Sequence, residues 1–452
     1  MKLQLRQIAP QLCVLFCLFN CALAMHLGSG GWKFQKTITF IVLMMGLQFL
    51  NYRFWKATLL SIIGFTIVSA PIFPRLANHA NLEFIIGLIL LVLLCIYQYK
   101  KSKKEEWNIN PQVISNTFRY ALITLYFIAG FHKLNSGFFS ITGSCAEFVG
   151  NHFHSIIFPE GFKTAPEIIR FFQILTIIVE MLIPFGLLHY KTRKPTAIIL
   201  VAFHFYLSLT SFANFSAFAG FLITGSLISF KSVEYIKHIT KGLRIYILFT
   251  ICAVITSYFI TRFELVNVNL IRFYNAVIFN IGWAVFFSIF IYNLPVEKEK
   301  SKLLTIPTIV VVFITLWGLQ CYAGLSNAGN LTMFSNLVTE KSRNNHFLID
   351  TRKTKMCAFE EDYITILELP EEYKWESSQK LINYDLPVIE FKTQVAEWIK
   401  KTDRKIRCVV KYKGETIIID DLKASEFGNA KWWYRYLFYR KIAPKGSVEC
   451  LW

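Results

Sequence analysis

The chain has 452 residues, 54% of them hydrophobic and 43 of them phenylalanine, with a mean hydropathy of +0.44. This composition excludes a simple set of water-soluble domains and describes a polytopic membrane protein. Residues 324–452 hold 21 Lys/Arg against 18 Asp/Glu, leaving 27 against 11 for residues 1–323, and no Asp precedes Asp350. Ionised groups are expensive in hydrocarbon, so residues 1–323 read as a bilayer-resident part and 324–452 as a water-exposed domain. The net charge of +19 is then a membrane signature, which sets aside a nucleic-acid partner.

In chain order, apolar runs near the 17 to 25 residues or so that cross a bilayer fall at 8–26, 35–50, 57–74, 84–99, 114–131, 167–189, 195–212, 214–230, 244–261, 274–293 and 304–322. They predict an all-α membrane bundle of about eleven spans, nine to twelve allowing for the short runs and the brief break at Ala213-Asn214. The first run also fits a cleaved signal peptide, since Lys2 and Arg6 precede an apolar stretch that ends in Ala22-Leu23-Ala24. Placing the N-terminus inside puts eighteen Lys/Arg in the inner segments and eight in the outer ones. The positive-inside rule therefore favours a cytoplasmic N-terminus and an exported C-terminal domain. A composition rich in Lys, Ile and Phe and poor in Gly and Pro suggests a bacterial inner membrane.

Of ten cysteines, Cys13, Cys17, Cys21, Cys95, Cys252 and Cys321 lie in or beside spans, where a thiol acts as a small apolar group. Cys145, Cys357, Cys408 and Cys450 would face an oxidising compartment and could pair in any combination. No metal-spaced cluster, phosphate loop or internal repeat is evident. The exported domain reads as α+β, with strands at Tyr363–Leu369, Arg407–Tyr412 and Thr416–Ile419 and a helix at Ile389–Lys401. Its segment 431–440 mixes aromatic and cationic residues, as in a helix packed on its own domain or one lying on the membrane surface.

Ionisable groups at membrane depth carry the functional information. Glu180 falls inside the 167–189 run, His204 inside 195–212, and Lys133, preceded by His132, just past 114–131. By position alone Lys133 is a lysine snorkelling to the interface. Held in a partly dry cavity, its cation would lose solvation, and the neutral amine would serve as a base. Glu180 is either a carboxyl bonded between helices or a partner that charges the lysine's site. His204 is a bundle-core histidine, a donor to a substrate oxygen, or a proton relay. His152 and His154 lack a third ligand at metal spacing and read as surface residues.

The segment Tyr126-Phe127-Ile128-Ala129-Gly130-Phe131-His132-Lys133-Leu134-Asn135 resembles the vitamin K-dependent γ-carboxylase family and its bacterial relatives, the horizontally transferred transmembrane (HTTM) domain proteins. There, a helix end reading Tyr-Phe-Ile-Ala-Gly is followed after two residues by Lys-Leu and an Asp or Asn. The blocks Ile178-Val179-Glu180-Met181-Leu182-Ile183-Pro184 and Ala202-Phe203-His204 follow in the family's order. Further similarity to the bacterial relatives lies in Ser144-Cys145-Ala146, in Met333-Phe334-Ser335-Asn336-Leu337-Val338-Thr339-Glu340 and in Asn345-His346.

The resemblance covers about residues 5 to 350, with a carboxylase-like core at about 114–323. It implies a lyase/oxidoreductase in which Lys133 is the general base that deprotonates a reduced vitamin K or menaquinone-type hydroquinone. Oxygen then drives epoxidation through a strongly basic alkoxide, which takes a γ-proton from a peptide Glu, and carbon dioxide traps the carbanion. Catalytic roles would fall to Lys133, His132, His204 and Glu180, and cofactor contacts to Tyr126, Phe127 and Phe203, with no metal. The chain departs from the animal enzymes in having only about 125 residues after the last run and in carrying His132-Lys133 where they have paired lysines. Competing expectations are a non-enzymatic scaffold or export component whose outer domain binds a partner, and a transporter, which would more usually show repeated halves or helices broken near the midplane.

Overall fold

The structure, a computed structural model, describes residues 3–4, 9–29, 35–76, 78–103, 105, 108–157, 163–208, 213–229, 236–263, 268–296, 305–340, 343–376, 379–442 and 448–450. Most of them are helical. The bundle consists of α1 (Ala9–Ser29), α2 (Gln35–Leu50), α3 (Lys56–Ser69), α4 (Asn78–Ser102), α5 (Pro111–His132), α6 (Cys145–Ile157), α7 (Pro166–Met181), α8 (Arg193–Leu207), α9 (Ala213–Leu227), α10 (Ile236–Phe263), α11 (Val268–Asn293) and α12 (Thr305–Gly318). Each apolar run of the sequence coincides with one of these helices, and α6 is the addition. Two two-residue strands, β1 (Leu3–Gln4) and β2 (Asn108–Ile109), pair antiparallel.

Four stretches, Pro10–Leu27, Asn78–Lys100, Pro166–Leu187 and Ile239–Thr256, are long and apolar enough to cross a membrane by length and composition. Five shorter apolar helices accompany them, including Lys56–Ser69 and Thr305–Gly318. Helix α1 is hydrophobic all round and is accordingly enclosed, packing on α2, α9 and α10. Helix α5 packs on α7, α9 and α12. By contrast α7 turns Phe171, Ile174 and Leu182 outward, each more than half exposed. Apolar side chains at such density on one face need a non-aqueous neighbour.

Local sequence sets the ends of the two helices that matter most for the site. Helix α5 begins at Asn110, whose side chain accepts from Gln112 N at 3.0 Å, with Pro111 in the first turn, where its missing N–H costs nothing. It ends at Lys133, whose N–H donates to Gly130 O at 3.0 Å. Helix α7 also starts on a proline, Pro166, and gives way at Leu182 to a 3₁₀ turn, Ile183–Leu187, that contains Pro184.

Beyond α12 come two short helices, α13 (Gln320–Ala323) and α14 (Thr351–Thr354), and between them residues 324–340 and 343–350 fold back over the bundle. Phe347 N donates to Leu134 O at 2.9 Å and Ser136 N to Asn345 O at 3.0 Å. The following domain holds an antiparallel sheet in the order β6 (Asp385–Pro387), β3 (Tyr363–Glu368), β7 (Cys408–Tyr412), β8 (Glu415–Ile419), covered by α15 (Val388–Ile399). A hairpin of β4 (Trp375–Glu376) and β5 (Gln379–Lys380) lies apart. Alternation in β3 buries Ile364 and Ile366 against Phe391 and Val395 of α15. Lys413 and Gly414, both at positive φ, turn β7 into β8.

Segment 432–436 is a 3₁₀ turn with extended residues on both sides, not the helix that either sequence reading required. Five residues rich in aromatics have little intrinsic drive toward a longer helix. Of the four cysteines expected on the outer side, Cys145 and Cys450 form a disulfide, whereas Cys357 and Cys408 are free. The domain is also clamped to the bundle. Arg75, in the loop after α3, donates both terminal nitrogens to the buried carboxylate of Glu390 in α15, one of them at 2.9 Å.

Candidate functional site

Six helices and two loops line a cavity of about 270 Å³. On α5, Leu122, Tyr126, Ala129 and Lys133 face it, a spacing of three to four residues that forms one stripe of a helix. On α7, Phe172, Thr176 and Glu180 do so at intervals of four. Helix α8 adds Phe203 and His204, α9 adds Phe218 and Leu222, and α4 adds Asn78 and His79. The outer rim is made by Cys145 and Ala146 at the start of α6 and by Leu331, Met333 and Phe334. Most of the remaining surface is apolar.

Lys133 is 4% exposed and Glu180 7%. The lysine Nζ lies 3.1 Å from one carboxylate oxygen and 2.8 Å from the other, and it also donates to Ala129 O at 3.3 Å. Lys133 is thus turned back into the bundle, and the surface reading of this residue does not describe it. The contact depends on Gly130. A Cβ there would stand 2.6 Å from Met181 Cγ and 3.0 Å from Glu180 Cβ, so only glycine lets α5 approach α7 this closely.

A second pair faces the same space. Tyr126 Oη is hydrogen-bonded to His204 Nε2, and the rings meet edge to face with centroids 5.7 Å apart. The carbonyl of His204 accepts from Ser208 Oγ at 2.6 Å and from Ser216 Oγ at 3.2 Å, which ties the end of α8 to α9. Such contacts hold a buried imidazole in one orientation.

The structure therefore brings Lys133, Glu180, His204, Tyr126 and Phe203 to one cavity. His132 and Phe127 are not among its lining residues. Helical geometry turns His132 to the other side of α5, where its Nδ1 is 2.9 Å from Tyr322 Oη, and Phe127 packs near Phe131 and Phe185. His152 stacks on Phe148 in α6, while the side chain of His154 lies outside the described residues. Among the described residues no group of three or more His, Cys, Asp or Glu could hold a metal ion.

No family model, curated protein or solved structure matches this chain. The cavity is held in shape by polar braces.

Those braces converge on the end of α5. Asn135 donates to His132 O at 2.7 Å and to Ser335 O at 2.6 Å, and its side-chain oxygen accepts from Phe138 N and Asn345 Nδ2. His346 Nδ1 accepts from Leu348 N and Ile349 N, each at 3.1 Å, so the proton sits on Nε2, which donates to Phe131 O at 2.9 Å. Burial lowers the pKa of this imidazole below its usual value and favours the neutral form that the bonding pattern requires. In the loop, Leu331, Phe334 and Asn336 all have positive φ, an uncommon run for residues with side chains. Asn336 is fixed by accepting from Cys145 N at 2.6 Å and donating to Gly143 O and Glu449 O.

Sequence reasoning missed four polar groups of the cavity, Asn78, Thr176, Tyr206 and His79. His79 lines it, and the His79 ring meets that of His26 at 4.8 Å between centroids, while His26 Nδ1 pairs with the fully buried Glu83. The signal was present in the spacing, because His79 and Glu83 stand four apart on one helix face. The apolar run begins at residue 84, one position after Glu83, whereas α4 begins at Asn78.

Proposed function

We propose that this chain is a polytopic membrane enzyme of the vitamin K-dependent carboxylase type, with about eleven spans, in which Lys133 is the base that activates a reduced quinone. The observation that carries this reading is the buried contact between Lys133 and Glu180 on the wall of a mostly apolar cavity. Burying two charges costs more than their attraction usually returns, so their place at a cavity rather than within packed core favours a role in proton transfer. A non-enzymatic scaffold supplies no reason for that placement.

The residues suit such a group. A volume of about 270 Å³ lies near the lower bound of about 300 Å³ for small-molecule pockets, the size of a ring system rather than a whole lipid. The aromatic faces of Phe172, Phe203 and Phe218 would sandwich a flat ring, and Lys133, Tyr126, His204 and His79 would meet its oxygens. When bound, a hydroquinone supplies the oxygen chemistry that generates a far stronger base than any side chain. The protein's part is to move one proton and keep water away. Lys133 Nζ takes a proton from the ligand when its own has passed to Glu180, which holds the nitrogen in place as a carboxylate before that transfer and as the neutral acid after it. Tyr126 and His204 orient the other side of the ring, and the apolar lining excludes water that would quench a strong base.

In this proposal the N-terminus is cytoplasmic, the 324–452 domain faces the periplasm of a bacterial inner membrane, and a peptide Glu reaching the outer rim is the acceptor for carbon dioxide. The decisive measurement is epoxide formation from reduced vitamin K or menaquinone under oxygen, in membranes carrying wild type or Lys133→Ala, with labelled carbon dioxide and a Glu-containing peptide. Epoxide that depends on Lys133 supports the quinone step, and label in the peptide extends it to carboxylation. Silence of wild type with every quinone sinks the enzymatic reading.

A further inference from the structure

The turn at 432–436 sorts its aromatic residues onto two sides. Trp433 packs toward Phe359 at 5.9 Å between centroids, whereas Trp432 and Tyr436, one turn apart and 6.0 Å from each other, face outward. Trp432 is 77% exposed and Tyr436 50%. Two large aromatics left in water beside Lys431 and Arg435 are costly unless something covers them.

Their position indicates what does. Arg435 donates to Pro71 O, in the loop that follows α3, and Arg75 in the same loop reaches Glu390 and, at 3.5 Å, Leu437 O. The turn is therefore held beside the end of α3, whose outward apolar surface includes Ile67, with Ile72 just beyond it. Trp, Tyr and Arg are the residues that favour the boundary between hydrocarbon and water, because each has an apolar body and a polar tip.

We propose that residues 431–436 are an interfacial anchor that inserts Trp432 and Tyr436 into the headgroup region of the bilayer at the end of α3. The occupant of this surface is phospholipid, because the patch continues the outward apolar face of a helix and carries cations at its edge. The anchor bears on the cavity. Two residues past Tyr436, the carbonyl of Phe438 accepts from Asn327 N, Ala328 N and Ser326 Oγ at 3.2, 3.1 and 2.6 Å, and this loop leads directly into Leu331 at the rim. Docking to lipid thereby fixes the cover of the site. The inference rests on the membrane placement proposed above, though not on the reaction.

The test uses full-length protein in phosphatidylcholine vesicles with Cys95, Cys252 and Cys357 replaced by Ser. One cysteine is introduced per variant, as Trp432→Cys, Leu316→Cys or Ile418→Cys, and labelled with an environment-sensitive fluorophore. Leu316 is an exposed apolar residue of α12, and Ile418 lies exposed on β8 of the outer sheet. The expected result is loss of emission at 432 with nitroxide lipids labelled near the headgroup, together with protection from iodide in the water. Emission at 316 should fall with nitroxides deep in the chains, and at 418 only with iodide. If 432 behaves like 418 while 316 is quenched by lipid, the anchor is wrong and the membrane placement stands. If 316 is also untouched by lipid nitroxides, the membrane placement fails and the anchor with it.

Discussion

At Gly130 the backbone of α5 and the side chains of α7 leave no room for a methyl group, and Lys133 and Glu180 meet because of it. Gly130→Ala forces Met181 and Glu180 aside. Overpacking of this kind costs about 1 to 3 kcal/mol, so the variant should melt lower in detergent and lose quinone turnover as its lysine loses register. Glu180→Gln addresses the chemical part. The amide keeps a hydrogen-bond partner for Lys133 Nζ but cannot take up its proton. Lys133-dependent epoxide formation should fall on the order of 10²-fold or more, and melting should also drop because the buried lysine loses its counter-charge; an unchanged rate in the folded variant would remove Glu180 from the proton path. Lys133, Glu180 and His204 could be picked out from the sequence because ionisable residues are scarce among so many apolar ones. Gly130 was visible only as a motif letter, since its role is a distance between two helices that no linear pattern records.

At the scale of elements, the clamp between the loop after α3 and α15 makes a sharper claim. Glu390 has no exposed side-chain surface and is paired with Arg75, which also stacks over Phe438 at 4.9 Å. Arg75→Ala strands a buried carboxylate. Breaking a buried pair from one side costs about 3 to 5 kcal/mol, and limited proteolysis, read after reduction of the Cys145–Cys450 disulfide, should then cut and release the C-terminal domain much faster than in wild type. The double variant Arg75→Met, Glu390→Leu should recover much of that loss, because it removes the charge as well as its partner. If the single and double variants are cleaved alike, the clamp does not hold the domain. Eleven helices of the bundle and three of the four strands of the sheet followed from periodicity and length, whereas α6 and the three-residue strand β6 did not. The ends of the elements did not either. A polar first turn on an apolar helix, as at Asn78 to Glu83, looks like loop in sequence, and only neighbouring helices that satisfy its polar groups reveal otherwise. The loop at 331–336 was equally opaque, since its backbone is held by side chains from elsewhere, Asn78 of α4 at Leu331 N, Asn135 beyond α5 at Ser335 O and Asn345 at Asn336 O, rather than by its own pattern.

For the whole molecule, the segment that folds back beyond α12 and the C-terminal domain share a buried charged network. Glu340 accepts from Asn327 at 2.7 Å and Arg440 at 3.2 Å, while Lys355 Nζ lies 3.0 Å from Glu360. Burial, with a further push from Glu340, raises the pKa of Glu360 from 4.5 to about 7, against the opposing pull of Lys355 and Arg440. A carboxyl with a raised folded pKa binds more protons folded than unfolded, so its contribution to stability declines as pH rises from about 4.5 to about 7. Melting of the outer domain should therefore be higher at pH 5 than at pH 7.5, by at most about 3 kcal/mol in free energy. Glu360→Gln should flatten that slope; a variant with the same slope as wild type would assign it to another group.

The rim of the cavity has a consequence in time. Its charged and polar groups all lie between residues 78 and 206, yet its cover includes Leu331, Met333 and Phe334. In the membrane placement proposed above, a nascent chain that had inserted α1 to α12 would already hold Lys133 beside Glu180 but would leave both open to water from the outer side. The enzyme proposed here would thus be made with its reactive centre quenched, and would become competent only when the segment beyond α12 has crossed the membrane and folded back. Delivery of that segment, rather than a later processing event, would set the moment at which the site goes dry.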